Sequence, residues 1–245
     1  MARTAALSRQ LSIFFKYYIR SILKNGEYHI DGEKKLTERN ASIVYSGGDD
    51  VFIVGAWNEV IELSIDLQEK FKKYTQGTLS ISSGIGIYEC TYPIGAIANE
   101  TGEMEAESKR MPEKDSVTFM DDGETHLINE LEICDGTYRW EELYKSVLGE
   151  KYDVIQDFLG ESDERGMSFL YRMLELIRNQ KEKINFARFV YLLSRLEPDK
   201  EGEKKEKYRK FSRKMYQWVQ SEKDCRELKT AINLYAYMHR EKGAH

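Results

Sequence analysis

The spacing of apolar residues changes several times along the chain, and then once for good. Leu7, Leu11, Phe14, Phe15, Tyr18 and Ile22 recur at helical intervals, and Asn25-Gly26 follows as a stop signal, so the chain is expected to open on an amphipathic helix. Residues 25 to 40 are polar and carry Asn-Gly and Asp-Gly pairs, which predicts an exposed connection tolerant of change. Two short apolar runs follow, Ile43 to Tyr45 and Val51 to Val54, β-branched or aromatic throughout. They read as strands covered on both faces, joined by a Gly-Gly-Asp-Asp tip. Val60, Ile61, Leu63, Ile65, Leu67 and Phe71 return to the helical period, and "TLSISSGIGIY" then alternates as a strand does, with Leu79, Ile81, Ile85 and Ile87 on one face. A helix over residues 93 to 110 and a short strand "SVTFM" over 116 to 120 complete an order of α, β-hairpin, α, β, α, β.

After the acidic, turn-rich "MDDGETHLINELEICDGTYRW" the strand signal fades. From about Trp140 onward apolar residues fall only at helical spacing: Phe169, Leu170, Met173, Leu174 and Ile177, then Phe189, Val190 and Leu193, then Met215, Trp218 and Val219, then Leu228, Ile232, Tyr235 and Met238. The reading is an α+β domain over 1–135 followed by an all-α helical bundle over 136–245, without internal repeats.

Composition narrows the function. With 37 Lys plus Arg against 42 Asp plus Glu the chain is mildly acidic, so a nucleic-acid contact would need a local patch. The run "KKEKYRKFSRK" is such a patch, although Glu201, Glu203 and Glu206 nearby make a solvated helix face the plainer reading. Cys90, Cys134 and Cys225 are scattered and odd in number, which argues against a disulfide framework or a zinc site and fits a reducing, cytoplasmic setting. No apolar run approaches the length of a membrane span, and Arg3, Arg9 and Lys16 interrupt the first helix where a signal peptide would be apolar.

The chemistry concentrates in "VYSGGDDVFIVG", residues 44 to 55. Gly and Asp are ordinary turn residues, and a bare hairpin turn is one reading. Adjacent carboxylates at a strand tip repel unless a cation offsets them. Mg²⁺ takes one or two carboxylates together with substrate phosphates, and glycines beside the acids leave room for a triphosphate against the backbone. A nucleotide-metal site is the second reading.

Taken with the order of elements, "ALSRQLSIFFKYYIRSIL", "YSGGDDVFIVGAWNEVIELSIDLQEKFKKYT" and "LSISSGIGIYECTYPI" resemble the second palm domain, a ferredoxin-like nucleotidyl cyclase fold, of the large subunit of type III-A CRISPR effector complexes. "GMSFLYRMLELIR" and "INFARFVYLLSR" resemble that subunit's carboxy-terminal bundle. The resemblance implies conversion of ATP to cyclic oligoadenylates once guide RNA has paired with a target RNA. It implies Gly47 and Gly48 against phosphates, and Asp49 and Asp50 as catalytic ligands of Mg²⁺ or Mn²⁺, which would polarise an α-phosphate and activate a 3′-hydroxyl. By the same likeness Lys109, in "EAESKR", corresponds to a triphosphate-binding base, and Ser8, in "LSRQ", approaches a nucleotide. Alone, each is equally an exposed helix lysine and a cap or solvent-facing hydroxyl. The implied partners are an upstream first palm and HD-type domain of the same subunit, the other effector subunits, and guide and target RNA.

The chain departs from the palm pattern in one respect. A metal-binding Asp on a strand before the first helix is expected in that fold, and no Asp precedes residue 31. The sheet is therefore expected to lack its first strand, and the isolated chain to be unable to turn over ATP. Two rival readings remain. A diguanylate cyclase also carries a Gly-Gly-Asp hairpin, but Asp50-Val51 replaces its Glu-Phe, Tyr45-Ser46 its Arg-Tyr, and Ser42 the Asp of its inhibitory site. The other is a non-catalytic scaffold that docks effector subunits.

Overall fold

In the computed structural model, residues 2–32, 35–120, 123–160, 164–178 and 183–240 are described, and they divide into two compact units at Trp140/Glu141. Unit 1 opens with α1 (Ala2–Ile13), which passes through a wide π-helical stretch, Phe14–Tyr18, into α2 (Ile19–Lys24). The widened turn shifts the helical phase, so that neighbouring Phe14 and Phe15 are both buried in line with Ile19 and Ile22. Against them lies α3 (Trp57–Tyr74), whose Leu63, Leu67 and Phe71 complete one core cluster. Phe14 and Phe71 meet edge-to-face with centroids 5.1 Å apart.

Strands β1 (Ala41–Gly47) and β2 (Asp50–Gly55) pair antiparallel, with a bulge at Val44 between Ile43 and Tyr45. Ile43, Val51 and Ile53 pack on the core cluster, whereas Val44 and Tyr45 are more than half exposed. The expectation of cover on both faces is therefore corrected. Among the described residues this hairpin forms a sheet of its own, and only its inner face has a helix to rest on.

A second sheet has the order β3-β4-β7, where β3 (Ser83–Ile85) runs parallel to β4 (Ser116–Phe119) and β4 antiparallel to β7 (Thr137–Arg139). Helix α4 (Ile94–Ser108) covers β3 and β4. The long strand expected over "TLSISSGIGIY" shrinks to three residues. Ahead of it the side chains make the link instead: Ser80 Oγ and Ser82 Oγ donate to the carbonyls of Glu113 and Lys114 at 3.4 and 2.6 Å. Conversely, the turn-rich stretch holds a hairpin, β5 (Thr125–Ile128) with β6 (Leu131–Cys134), as well as β7. Its tip, Asn129-Glu130, has positive φ at both residues (49° and 68°), the pattern of a type I′ turn written without glycine, and so carries no Gly signal.

The loop between α2 and β1 also differs from expectation, because a buried ion network holds it. Asp66 of α3 accepts the Glu27 and Tyr28 amides at 3.1 and 2.9 Å, and Glu62 accepts that of Ile30 at 2.9 Å. Arg39 is 4% exposed and binds both acids, Asp66 at 2.9 Å. Burial pushes the Glu62 carboxyl up, opposed by the Ile30 amide and by Arg39 and His29.

Unit 2 runs from α5 (Trp140–Glu142) through a second π-helical stretch, Leu143–Tyr152, into α6 (Asp153–Leu159), α7 (Glu164–Arg178), α8 (Lys183–Ser194), α9 (Glu203–Trp218) and α10 (Glu222–Arg240). Its core includes Leu170, Met173, Phe189, Met215, Leu228 and Ile232 of the helical pattern together with Leu143, Val147 and Ile155, whereas Val190 of that pattern is exposed. Lys151 is 2% exposed, pairs with Asp224 at 2.8 Å and with Glu227, and lies over the Trp218 ring. In the basic run Tyr208 and Phe211 are core residues, while Lys205, Arg209 and Lys214 pair with Glu201 and Glu150. The run is a solvated, ion-paired face. Among the described residues no helix is long and apolar enough to cross a membrane.

Arg39→Met removes the guanidinium that Glu62 and Asp66 share and leaves two buried acids, and is expected to cost unit 1 about 3–5 kcal/mol. Adding Glu62→Gln and Asp66→Asn to that variant should recover part of the loss, as measured by denaturant unfolding.

Candidate functional site

The tip of the β1–β2 hairpin is a two-residue turn. Gly47 pairs with Asp50, leaving Gly48 and Asp49 at the corner, and of these only Gly48 has positive φ, at 65°. That is the type II′ pattern, which demands glycine at the first corner position. Asp49, Asp50 and Gly48 are exposed and Gly47 is partly so, which leaves two neighbouring carboxylates and a stretch of side-chain-free backbone open to solvent. The tip is nonetheless anchored. Ser46 Oγ donates to the Phe15 carbonyl at 2.7 Å, fastening the residue before the glycines to the π-helical stretch and its buried phenylalanines.

A second element brings a cation to the tip. Lys109 caps the carboxyl end of α4, where its amide donates to the Glu105 carbonyl at 3.0 Å and its ammonium pairs with Glu105 Oε1 at 2.7 Å. Its pKa is raised, first by that bond to Glu105 and then by the charges of Glu105, Asp50 and Asp49, so the hairpin acids act on it through space. The helix end is held by buried hydroxyls. Ser108 is fully buried; its Oγ donates to the Ser83 carbonyl at 2.6 Å and accepts from Thr118 Oγ1, which in turn accepts from Thr137 Oγ1, each link 2.9 Å. Ser116 Oγ bonds the Ser108 carbonyl at 2.7 Å. Gly84 lets the helix lie directly on β3, since a Cβ there would sit 2.6 Å from the Glu105 nitrogen. A cavity of about 720 Å³ on α4 is lined by Glu100, Glu103, Glu107 and Glu132 and by none of the tip residues or Lys109.

Two family models match this chain. "Cas10/Cmr2, second palm domain" covers residues 1–118, and "CRISPR RNA silencing complex Cmr2 subunit, second helical domain" covers residues 156–241. The Cas10/Csm1 single-strand-specific deoxyribonuclease (subtype III-A) of Mycobacterium tuberculosis is 40% identical over 99% of the chain. The chain belongs to the Cas10/Csm1 family. It spans 28% of the length of that Cas10/Csm1 relative. Among solved structures, a Csm1–Csm4 cassette in complex with AMPPNP superposes with a TM-score of 0.61 at 27% identity, over 92% of this chain and 32% of that one. A cassette in complex with cA3 gives 0.57 at 25% identity, over 91% and 32%. The fold is accordingly a palm domain followed by a helical domain.

Of the residues singled out in the sequence, the structure gathers Gly47, Gly48, Asp49 and Asp50 at one tip and places Lys109 within their field. Ser8 is exposed on α1. Sequence reasoning missed Ser46, Glu105 and the Ser108–Thr118–Thr137 hydroxyl chain. The one available signal was a small polar residue, Ser108, directly before the basic pair of "EAESKR". Among the described residues no group of three or more His, Cys, Asp or Glu stands ready to hold a metal. The adjacent pair fits a Mg²⁺-type ion only as such ions bind with nucleotide, through one or two carboxylates plus phosphate oxygens.

Gly48→Ala forces a side chain into positive φ and is expected to cost about 1–2 kcal/mol. Gly84→Ala drives α4 off β3 for about 1–3 kcal/mol. Thermal unfolding measures both, and only Gly84→Ala should loosen amide-exchange protection around Ser108.

Proposed function

We propose that this chain is the second palm and helical domain of a type III CRISPR large subunit that, in its full cytoplasmic complex, joins ATP molecules into cyclic oligoadenylates on target-RNA binding. The palm would occupy residues 1–135 and the helical domain 136–245. The observation that carries the reading is the open Gly-Gly-Asp-Asp turn with Lys109 held in its field, in a chain of the Cas10/Csm1 family. The AMPPNP and cA3 complexes of related cassettes support ATP as substrate and a cyclic adenylate as product.

In this reading Gly47 and Gly48 admit phosphates to the backbone, and Asp49 and Asp50 hold Mg²⁺ or Mn²⁺. When bound, the ion supplies charge neutralisation and Lewis acidity at the α-phosphate. Lys109 binds triphosphate oxygens and stabilises the pyrophosphate that leaves as the 3′-hydroxyl of a second ATP attacks. Ser8 lies toward the nucleotide. The first palm and HD-type domains of the same subunit, the other effector subunits, and guide and target RNA are the partners.

With the complete complex, target RNA, ATP and Mg²⁺, mass spectrometry should detect cyclic adenylates. Asp49→Ala/Asp50→Ala should abolish them, and Lys109→Ala should reduce the rate about tenfold or more, corresponding to loss of one charged transition-state contact. Undiminished product from the double aspartate variant would refute the assignment.

A further inference from the structure

Lys109, which feels the hairpin acids through space, is already paired. Its ammonium contacts Glu105 Oε1 at 2.7 Å, one turn earlier on α4, and the Lys109 amide binds the Glu105 carbonyl, so both residues belong to the same closing turn. That turn is immobilised from beneath: Gly84 lets the Glu105 backbone rest on β3, and buried Ser108 is tied to β3 and β4. The two side chains themselves are open to water, at 51% exposure for Lys109 and 35% for Glu105. A rigid backbone with solvated heads favours exchange of partners, because neither charge must be stripped of water before it moves. Three carboxylate charges act on the ammonium, that of Glu105 in contact and those of Asp50 and Asp49 through space. This surplus of negative charge opposes a triphosphate, and only the Glu105 share of it remains once a cation sits on the two aspartates.

We propose that Glu105 is the resting counter-ion of Lys109 and competes with nucleotide phosphates for its ammonium, which makes Glu105 a positioning residue that sets nucleotide affinity. The inference rests on the reading of the hairpin as a nucleotide site. Glu105 yields Lys109 when a triphosphate with its cation occupies the tip, and takes it back when the site empties.

The test is a double-mutant cycle on AMPPNP binding, with Mg²⁺, to the assembled complex. Glu105→Gln should tighten binding about two- to fivefold, the range of a solvated ion pair, and the gain should shrink as salt rises. In a Lys109→Met background the gain from Glu105→Gln should shrink to the small part due to direct repulsion of the triphosphate. Unchanged or weaker binding in Glu105→Gln, or an equal gain without Lys109, overturns the inference while leaving the nucleotide site standing. Absence of AMPPNP binding by the unaltered complex removes the nucleotide site itself, and this inference with it.

Discussion

Placement of the acidic tip depends on the packing of Phe14 and Phe15 against Phe71, Leu63 and Leu67. A two-stranded hairpin is marginal in water without a surface to bury its inner face. Here that surface is the α1–α2 and α3 pair, with Ile43, Val51 and Ile53 seated on it. The π-helical stretch makes this possible by turning two consecutive phenylalanines inward, and the Phe15 carbonyl then receives the Ser46 hydroxyl at 2.7 Å. Core and tip are thus joined through one residue pair, and a change in the first helix reaches the aspartates by a short route.

The second half of the site has a different foundation. Lys109 depends on a run of small hydroxyls inside the β3–β4–β7 sheet, where each buried oxygen has a partner. Buried polar chains of this kind hold geometry strictly, since a broken link leaves a desolvated group unpaired. Strand β7 supplies Thr137 to this chain. The stretch after residue 120 is therefore part of the support for the site and more than a connection to the helical unit.

Much of this was legible in the sequence, for identifiable reasons. Helices α1, α3 and α4 and the tip of the first hairpin announced themselves because each needs a residue pattern that little else produces, above all Gly48 at a positive φ. The helical unit was legible because Phe169 to Ile177 and Leu228 to Tyr235 keep one period over several turns. Strands β5 and β6 were hidden because Asn129-Glu130 makes a I′ turn without glycine and each strand is only four residues long. The Arg39–Glu62–Asp66 network was hidden because Arg39 lies 23 and 27 positions from its two acids and all three resemble surface charges until folded. Glu105 looked like one of several solvated acids on α4. Its meaning comes from Lys109 beside it, whose ammonium also feels Asp50 and Asp49, a relation that only the fold creates.

The chemistry proposed for the glycine turn is that its two neighbouring aspartates hold a divalent cation jointly with a nucleotide. Its most direct measurement is electron paramagnetic resonance of free Mn²⁺ titrated into the assembled complex with and without AMPPNP. Mn²⁺ uptake beyond that of AMPPNP alone should require the nucleotide and the complex together and disappear in Asp49→Asn/Asp50→Asn. Such excess uptake persisting in that variant would contradict a metal-holding role for the two aspartates.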